Sequence, residues 1–571
     1  FPLRKSETLI DSNPRKNNFG GIMKAPAARV FLRKAAPAVV LLSILIFVQQ
    51  ARTAAPDVFA IRNARIFPVS SPPIQRGNIV IRDGIIEAVG ADVKIPLDAW
   101  LIDGSNLFVY PGLIDGSSDT GITPQTSAPT GTEARTVPAL PRSGQEIARP
   151  AEVSNMNTFV RAADLLSPGS RKVEDARAAG ITTVLAVPAR GIFSGQSALI
   201  NLNGEKDSMV VRSPVAMHVR FQSEGREYPR SLMGVIAYIR QAVLDARRYQ
   251  QSWDVYNHNL RAFKRPETNR GLEGLLPVVE NKIPIVLPAN TDVEIVRALQ
   301  LGDEIGARYI ISGAAEAWKV ADRLKSKRVP LLVSLKFPEK EKDVHPEYEE
   351  PLLELQRRAE APKNAARLHQ SGIGFAFSAE GLTNPRDFLK NASRAIKGGL
   401  PPEAALRALT STPAEIFGVS EQLGSLEKGK IGNLVVTDGD LFADRTKIRY
   451  VFVDGKKFEP PAEESKPTEP AAINVAGKWR VSMEAPQGTT EATFDFTQTE
   501  NELQGSITSS MGSTAVYDGV VSGKEFRFKA QWQAGERQMV VSYSGTVEGN
   551  TIKGRASMMR GEVTFNGTRV P

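Results

Sequence analysis

The sequence predicts an α/β protein whose middle is a parallel (β/α)₈ or TIM-type barrel, flanked by all-β regions on both sides. Three observations carry this. Apolar, β-rich runs alternate with amphipathic helical stretches through the central part of the chain. Short segments of alternating polarity, broken by turn residues, dominate before and after it. The length, 571 residues, exceeds what one hydrophobic core supports, so two or three domains are expected. A barrel suits the roughly 310 central residues, although spacing alone leaves a doubly wound sheet open.

Composition narrows the partners. With 41% hydrophobic and 24% charged residues, the chain reads as globular. The net charge of +9 is concentrated at one end: residues 1–55 hold 9 Lys/Arg and 2 Asp/Glu, leaving 63 basic against 61 acidic residues elsewhere. Charge therefore gives no support to a nucleic acid or an anionic membrane as partner.

The basic end has its own pattern. Met23, Lys24, Arg29, Arg33 and Lys34 precede the apolar run Ala38–Val48, and small residues follow near Ala51–Ala55. This is the order of a secretory signal peptide, expected over residues 23–55, and the run is short for a membrane span of roughly 20 residues. Pro56 disfavours cleavage directly after Ala55, so an uncleaved N-terminal anchor is the alternative. Residues 1–22 read as sequence upstream of the start at Met23. An exported protein, periplasmic or extracellular and in the alternative membrane-tethered, is expected. The chain has no cysteine, which excludes disulfides, thiolate metal sites and a cysteine nucleophile.

The elements follow in order. Phe59–Ile61, Ala64–Val69, Asn78–Arg82 and Ile85–Val89, separated by turns such as Asp83-Gly84, predict antiparallel strands. Ile181–Val187, Val215–Val219, Ile283–Leu287, Tyr309–Ser312, Val329–Ser334 and Gly374–Ser378 read as buried parallel strands, with helices at Asp292–Ile305 and Pro402–Leu409 among the connections. A Pro- and Glu-rich stretch, 459–472, reads as a semi-extended linker. Residues 473–571 then hold about eight alternating segments, including Trp479–Ser482, Ala492–Phe496 and Phe526–Ala530, which predict a small closed β-barrel or sandwich. Gly477-Lys478-Trp479 and Arg569 resemble the lipocalin-like G-x-W and closing arginine. A packed accessory barrel is expected there, with a ligand pocket as the alternative.

The run Val109-Tyr110-Pro111-Gly112-Leu113-Ile114-Asp115-Gly116-Ser117-Ser118-Asp119 resembles the P-G-L-I-D-x-H-x-H signature of the amidohydrolase superfamily, especially its imidazolonepropionase-like branch. In that family the two imidazoles hold a catalytic divalent metal; here Ser117 and Asp119 stand in their places. Ala179–Val184, Asn384–Phe388, the closing helix Ala404–Gly418 and Gly424–Lys430 are similar to further family segments. The resemblance spans residues 57–460. It implies a TIM barrel over 109–423, a composite β-sandwich from 57–108 and 424–458, a homo-oligomer, and hydrolysis of carbon–nitrogen bonds other than peptide bonds.

The resemblance also implies where ligands should stand. A family metal is held at the C-terminal ends of barrel strands and lowers the pKa of its water. The fifth-strand His falls on Pro288, the next on Ser312 or Gly313, and the last-strand Asp on Glu380. None of the four histidines, His218, His258, His345 and His369, occupies a family ligand place. His218 lies on a strand, where it is expected as a hydrogen-bonded core histidine or, pointing into the barrel mouth, as a substrate contact. What remains is a carboxylate set. Asp115, Asp119 and Glu380, with Asn290 and Lys336 at strand ends, would make an oxygen site for one divalent metal such as Mg²⁺, Mn²⁺ or Zn²⁺. Without metal, Glu380 would be a general base and Lys336 an oxyanion partner, with Asn290 binding substrate. A purely structural role for these carboxylates is the third reading. The stretch Gly191–Leu202 is similar to a glycine loop at the barrel mouth in relatives, which makes Gln196 a substrate-binding candidate; Ser194 and Ser197 have no base within a readable triad. Two function classes stay open: a hydrolase, and a catalytically silent relative that binds a small molecule.

Overall fold

A computed structural model describes residues 58–123, 155–223, 228–340, 349–460 and 469–570, apart from 486–487, 511, 535–536 and 559–560. The expected leader, residues 1–22, residues 461–468 of the linker and His345 lie outside the described residues.

The chain enters on β1 (Val58–Ile66), which pairs antiparallel with β2 (Ile74–Arg82), and β2 pairs antiparallel with β3 (Ile85–Gly90). Both faces are buried, Ile61, Ile79 and Ile81 on one and Val58, Ala60 and Val80 on the other. The expectation of purely antiparallel strands fails next. Residues 91–99 cross over, so β4 (Trp100–Asp103) and β5 (Phe108–Pro111) both run parallel to β1.

The central strands are β6 (Leu113–Ser118), β7 (Ile181–Ala186), β8 (Phe193–Gln196), β9 (Ala198–Asn201), β10 (Val210–Arg212), β11 (Met217–Val219), β12 (Ile285–Ala289), β13 (Tyr309–Gly313), β14 (Leu331–Ser334) and β15 (Phe375–Ser378). They form two sheets, ordered β10-β9-β7-β6 and β15-β14-β13-β12-β11-β8. β6 and β7 are parallel, as are all neighbours from β11 to β15. The far edges of the two sheets meet where the amide of Ala379 donates to Asp115 Oδ1 at 2.7 Å. Helices Asp292–Ile305, opened by a Thr291/Glu294 capping box, and Pro402–Leu409, opened by proline, lie where the sequence predicts.

The segment Gly191–Leu202 is not a loop. It forms β8 and β9, antiparallel to β11 and β7 respectively, and so bridges the two sheets. Burial decides this, because every residue of Ala198–Asn201 is in the core, where backbone groups need partners on both sides. Gly195 makes the bend: it has φ +125°, and a side chain there would sit 2.5 Å from the Val160 carbonyl.

Next come β16 (Leu434–Thr437), β17 (Ile448–Val453) and β18 (Lys456–Phe458). β16 pairs antiparallel with β5, so segments more than 300 residues apart share one eight-stranded sheet, ordered β18-β17-β16-β5-β1-β2-β3 with β4 beside β1. Among the described residues no helix is long and apolar enough to cross a membrane.

The remaining strands are β19 (Gly477–Ala485), β20 (Gly488–Thr499), β21 (Glu502–Ser509), β22 (Gly512–Ser522), β23 (Glu525–Ala534), β24 (Arg537–Glu548), β25 (Thr551–Met558) and β26 (Gly561–Arg569). Each pairs antiparallel with the next and β26 closes on β19, giving a complete barrel. Its interior is aromatic: Trp479, Phe494, Phe528, Tyr543 and Phe565 are buried, with Phe528 and Tyr543 stacked at 4.8 Å. The two lipocalin-like residues do meet. Arg569 lies 4.5 Å over the Trp479 ring and donates to the Asn474 carbonyl, while the Trp479 indole N–H bonds the Val475 carbonyl. Arg171, on helix Arg171–Ala178, holds this barrel to the body through Asp518 at 3.0 Å and the Tyr517 ring at 4.1 Å.

Candidate functional site

Strand alternation builds the site in layers. Ile114, Leu185, Leu199, Ala216, Val286, Ile310, Leu332 and Ala376 pack into one apolar cluster, closed from below by Ala414 and Phe417. Two residues further along the strands the same face carries Gly116, His218, Pro288, Ser312, Ser334 and Ser378. Pro288 pairs with Ser312, and Ser334 with Ser378. Beyond these come Asn290, Lys336 and Glu380. Polar residues thus stand over an apolar floor.

Two cavities open there. One, about 690 Å³, is lined by Asp115, Ser117, Asp119, Ser194, His218 and Glu380. The other, about 760 Å³, is lined by Asn290, Glu316, Trp318, Lys336, Arg357 and Glu380. Pro288, Ser312, Glu380 and Gly381 border both, so Glu380 stands at the junction.

The carboxylates differ sharply in surroundings. Asp115 is buried, and its Oδ1 accepts from the Ser117 amide at 3.1 Å and the Ala379 amide at 2.7 Å. Burial pushes its pKa up to about 7, against the pull of those two N–H groups, and the Glu380 charge adds a smaller push. Glu380 is exposed where it borders the cavities, and partial desolvation of its carboxylate raises its pKa. Its carbonyl accepts from Ser334 Oγ at 2.8 Å, which fixes the end of β15 to β14. Asp119 is exposed and ion-paired with Lys172 at 2.6 Å.

Lys336 and Asn290 both line the second cavity. Lys336 runs beside Gly381, which has φ +82° and whose Cβ would fall 2.7 Å from Lys336 Cδ. Asn290 lies over Gly313. Gln196 departs from its expected role. It is buried, and its amide donates to the carbonyls of Thr158 and Gly274 at 3.1 and 3.2 Å, so it braces the scaffold and lines neither cavity. The reason lies in the strand conformation of its segment, which turns it away from the mouth.

A carboxylate the sequence reading passed over is Glu316. It is buried, and although burial opposes its charge, Lys319, the Asp292 amide and Arg357 outweigh that and hold its pKa below the usual range. Trp318 beside it is covered by the Arg367 guanidinium at 3.9 Å. Glu316 sits in Gly313-Ala314-Ala315-Glu316-Ala317, just after a missing histidine place, which is the one local signal that pointed to it. Arg357 arrives from helix Leu352–Glu360 and had none.

The metal reading fails the test of fit. Among the described residues no three His, Asp or Glu side chains are placed to hold a metal ion. Asp115 has one oxygen committed to two amides and a proton affinity near neutrality, while Asp119 is exposed and already paired with Lys172. The proposed set Asp115, Asp119 and Glu380 therefore does not converge as a cation site.

Residues 310–458 match the model of the amidohydrolase family. The structure of an amidohydrolase from Thermotoga maritima MSB8 is similar over 70% of this chain and 100% of its own, at 26% identity and a TM-score of 0.58. Over residues 310–458, the C-terminal part of the central region, the chain is similar to the amidohydrolase family. Amidohydrolase tasK of Hapsidospora irregularis is 28% identical over 108 residues, 19% of this chain and 11% of that protein, so this chain spans about a tenth of the length of that curated relative.

Proposed function

We propose that this chain is an exported hydrolase of carbon–nitrogen bonds other than peptide bonds, built on the family's (β/α)₈ barrel and working through its own side chains. The observation that carries the reading is the position of Glu380, at the strand end where the resemblance calls for the catalytic Asp and at the junction of the two cavities. A carboxylate with a raised pKa suits a general base near neutral pH. In the proposed reaction Glu380 takes a proton from water, and the oxygen attacks the carbonyl carbon. The Lys336 ammonium faces the oxyanion from the second cavity. The carbon–nitrogen bond then breaks, and the amine leaves with the proton from Glu380.

A second reading has an observation of its own. The failure of the metal fit favours a silent relative that binds a small molecule in the same cavities. One experiment separates them. The purified protein, chelated and then supplied with Mg²⁺, Mn²⁺ or Zn²⁺, is assayed on cyclic amides and ureides by mass spectrometry, alongside Glu380→Gln. Turnover that disappears in Glu380→Gln supports the hydrolase. No turnover in any condition moves the protein to the binding class, and turnover unchanged in Glu380→Gln removes the proposed base.

A further inference from the structure

The wall of the first cavity holds a polar atom with nothing to bond. On β11, Met217 and Val219 pack into the main core, and His218 between them lines the first cavity. His218 is 6% exposed, lines the cavity, and its Nε2 is buried without a hydrogen-bond partner. Ser378 Oγ, on β15, is likewise buried and unpartnered. An orphaned buried polar atom costs stability, and native structures keep few of them.

The surroundings define what would satisfy it. Besides His218, the cavity wall offers the hydroxyls of Ser194 and Ser312, the apolar surfaces of Val187, Val286 and Pro288, and Asp115. Among the described residues the charged groups lining this cavity are the acids Asp115, Asp119, Asp175 and Glu380 and the cations Lys172 and Arg220, with Lys172 paired to Asp119 and Arg220 donating to the Ala189 carbonyl. An anionic ligand would therefore meet more acidic than basic groups around His218. We infer that His218 is the specificity-determining contact of this cavity, its uncharged imidazole hydrogen-bonding an uncharged amide or ureide group of the ligand, so that neutral amides are selected over carboxylates. Burial supports this, since it pushes the imidazole pKa down to about 3 and keeps the ring neutral at physiological pH. The inference deepens the hydrolase reading and rests on it only in calling the bound group a substrate.

The test reads binding without turnover, so it stands apart from the hydrolase assay. The full chain, labelled with ¹⁵N at histidine, is titrated with 2-pyrrolidinone, a neutral cyclic amide, and with cyclopentanecarboxylate, an anion of similar size. With four histidines in the chain the ring nitrogens are few, and His218→Asn assigns the resonance. The expected result is a neutral-imidazole Nε2 signal that shifts saturably with 2-pyrrolidinone and not with the carboxylate. His218→Phe should weaken the amide by about tenfold or more, the scale of one lost buried hydrogen bond, and His218→Asn should recover part of it. An unmoved His218 resonance, an equal response to both probes, or unchanged affinity in His218→Phe would overturn the inference. If His218→Phe fails to fold by circular dichroism, the wild-type resonance decides between these outcomes.

Discussion

The central strands and the C-terminal barrel fill the space between their strands in opposite ways. In the barrel of β19–β26, Trp479, Phe494, Phe528, Tyr543 and Phe565 fill the middle, and the indole N–H is satisfied locally. Among the central strands an apolar layer ends abruptly, and small or polar residues above it leave about 690 and 760 Å³ unfilled. Large side chains convert that space into stability, whereas the small Gly116, Ser312 and Ser378 convert it into a site. The same contrast separates two glutamates at strand ends. Glu316 is surrounded by Lys319 and Arg357 and stays charged; Glu380 has partial desolvation in place of cations and holds its proton more tightly.

Substitutions can break this comparison, beginning with the largest effect. Glu380→Gln should lower turnover about 10²- to 10⁴-fold, the range of a lost general base, with an unchanged far-ultraviolet circular dichroism spectrum. Phe494→Ala should cost about 3–5 kcal/mol in denaturant unfolding of the C-terminal barrel while leaving ligand binding in the central cavities intact. A loss of binding equal to that of a cavity variant would mean that the barrel is part of the site.

The third prediction concerns pH. The folded pKa of His218, about 3, lies below its ordinary 6.5, so between those values the unfolded chain binds a proton that the native chain does not, and stability falls as pH falls. The folded pKa of Asp115, about 7, lies above its ordinary 3.8, so the native chain holds the extra proton and stability falls as pH rises through that window. From about pH 4 to 6.5 the two slopes oppose each other. Asp115→Asn should leave a curve that rises with pH, and His218→Asn one that declines, as measured by urea midpoints at pH 4.5 and 6.5. Parallel shifts in both variants would refute the assignment. The smallest effect belongs to Asp119→Asn, which removes an exposed pair with Lys172 and should change stability by less than about 1 kcal/mol, with no change in metal content by mass spectrometry.

Local chemistry was enough for much of the fold. The helix Asp292–Ile305 was readable because its capping box and apolar spacing lie within a few residues, and the C-terminal strands because alternation and turns are local. The substitution of Ser117 and Asp119 for histidines was equally legible, as was the prominence of Glu380. Other features depended on residues far apart in the chain. Gly191–Leu202 carries loop-like glycine and serine, yet hydrogen bonds from β7 and β11 on either side make it two strands and turn Gln196 into a brace. Asp119 lies two residues from Ser117 but is paired with Lys172 of the helix Arg171–Ala178, and Glu316 is paired with Arg357 from a remote helix as well as with nearby Lys319. The sequence by itself determined the residue types at the strand ends. Tertiary structure decided which of them share a cavity and which carry charge, because desolvation and ion pairing are set by neighbours that sequence order does not bring together.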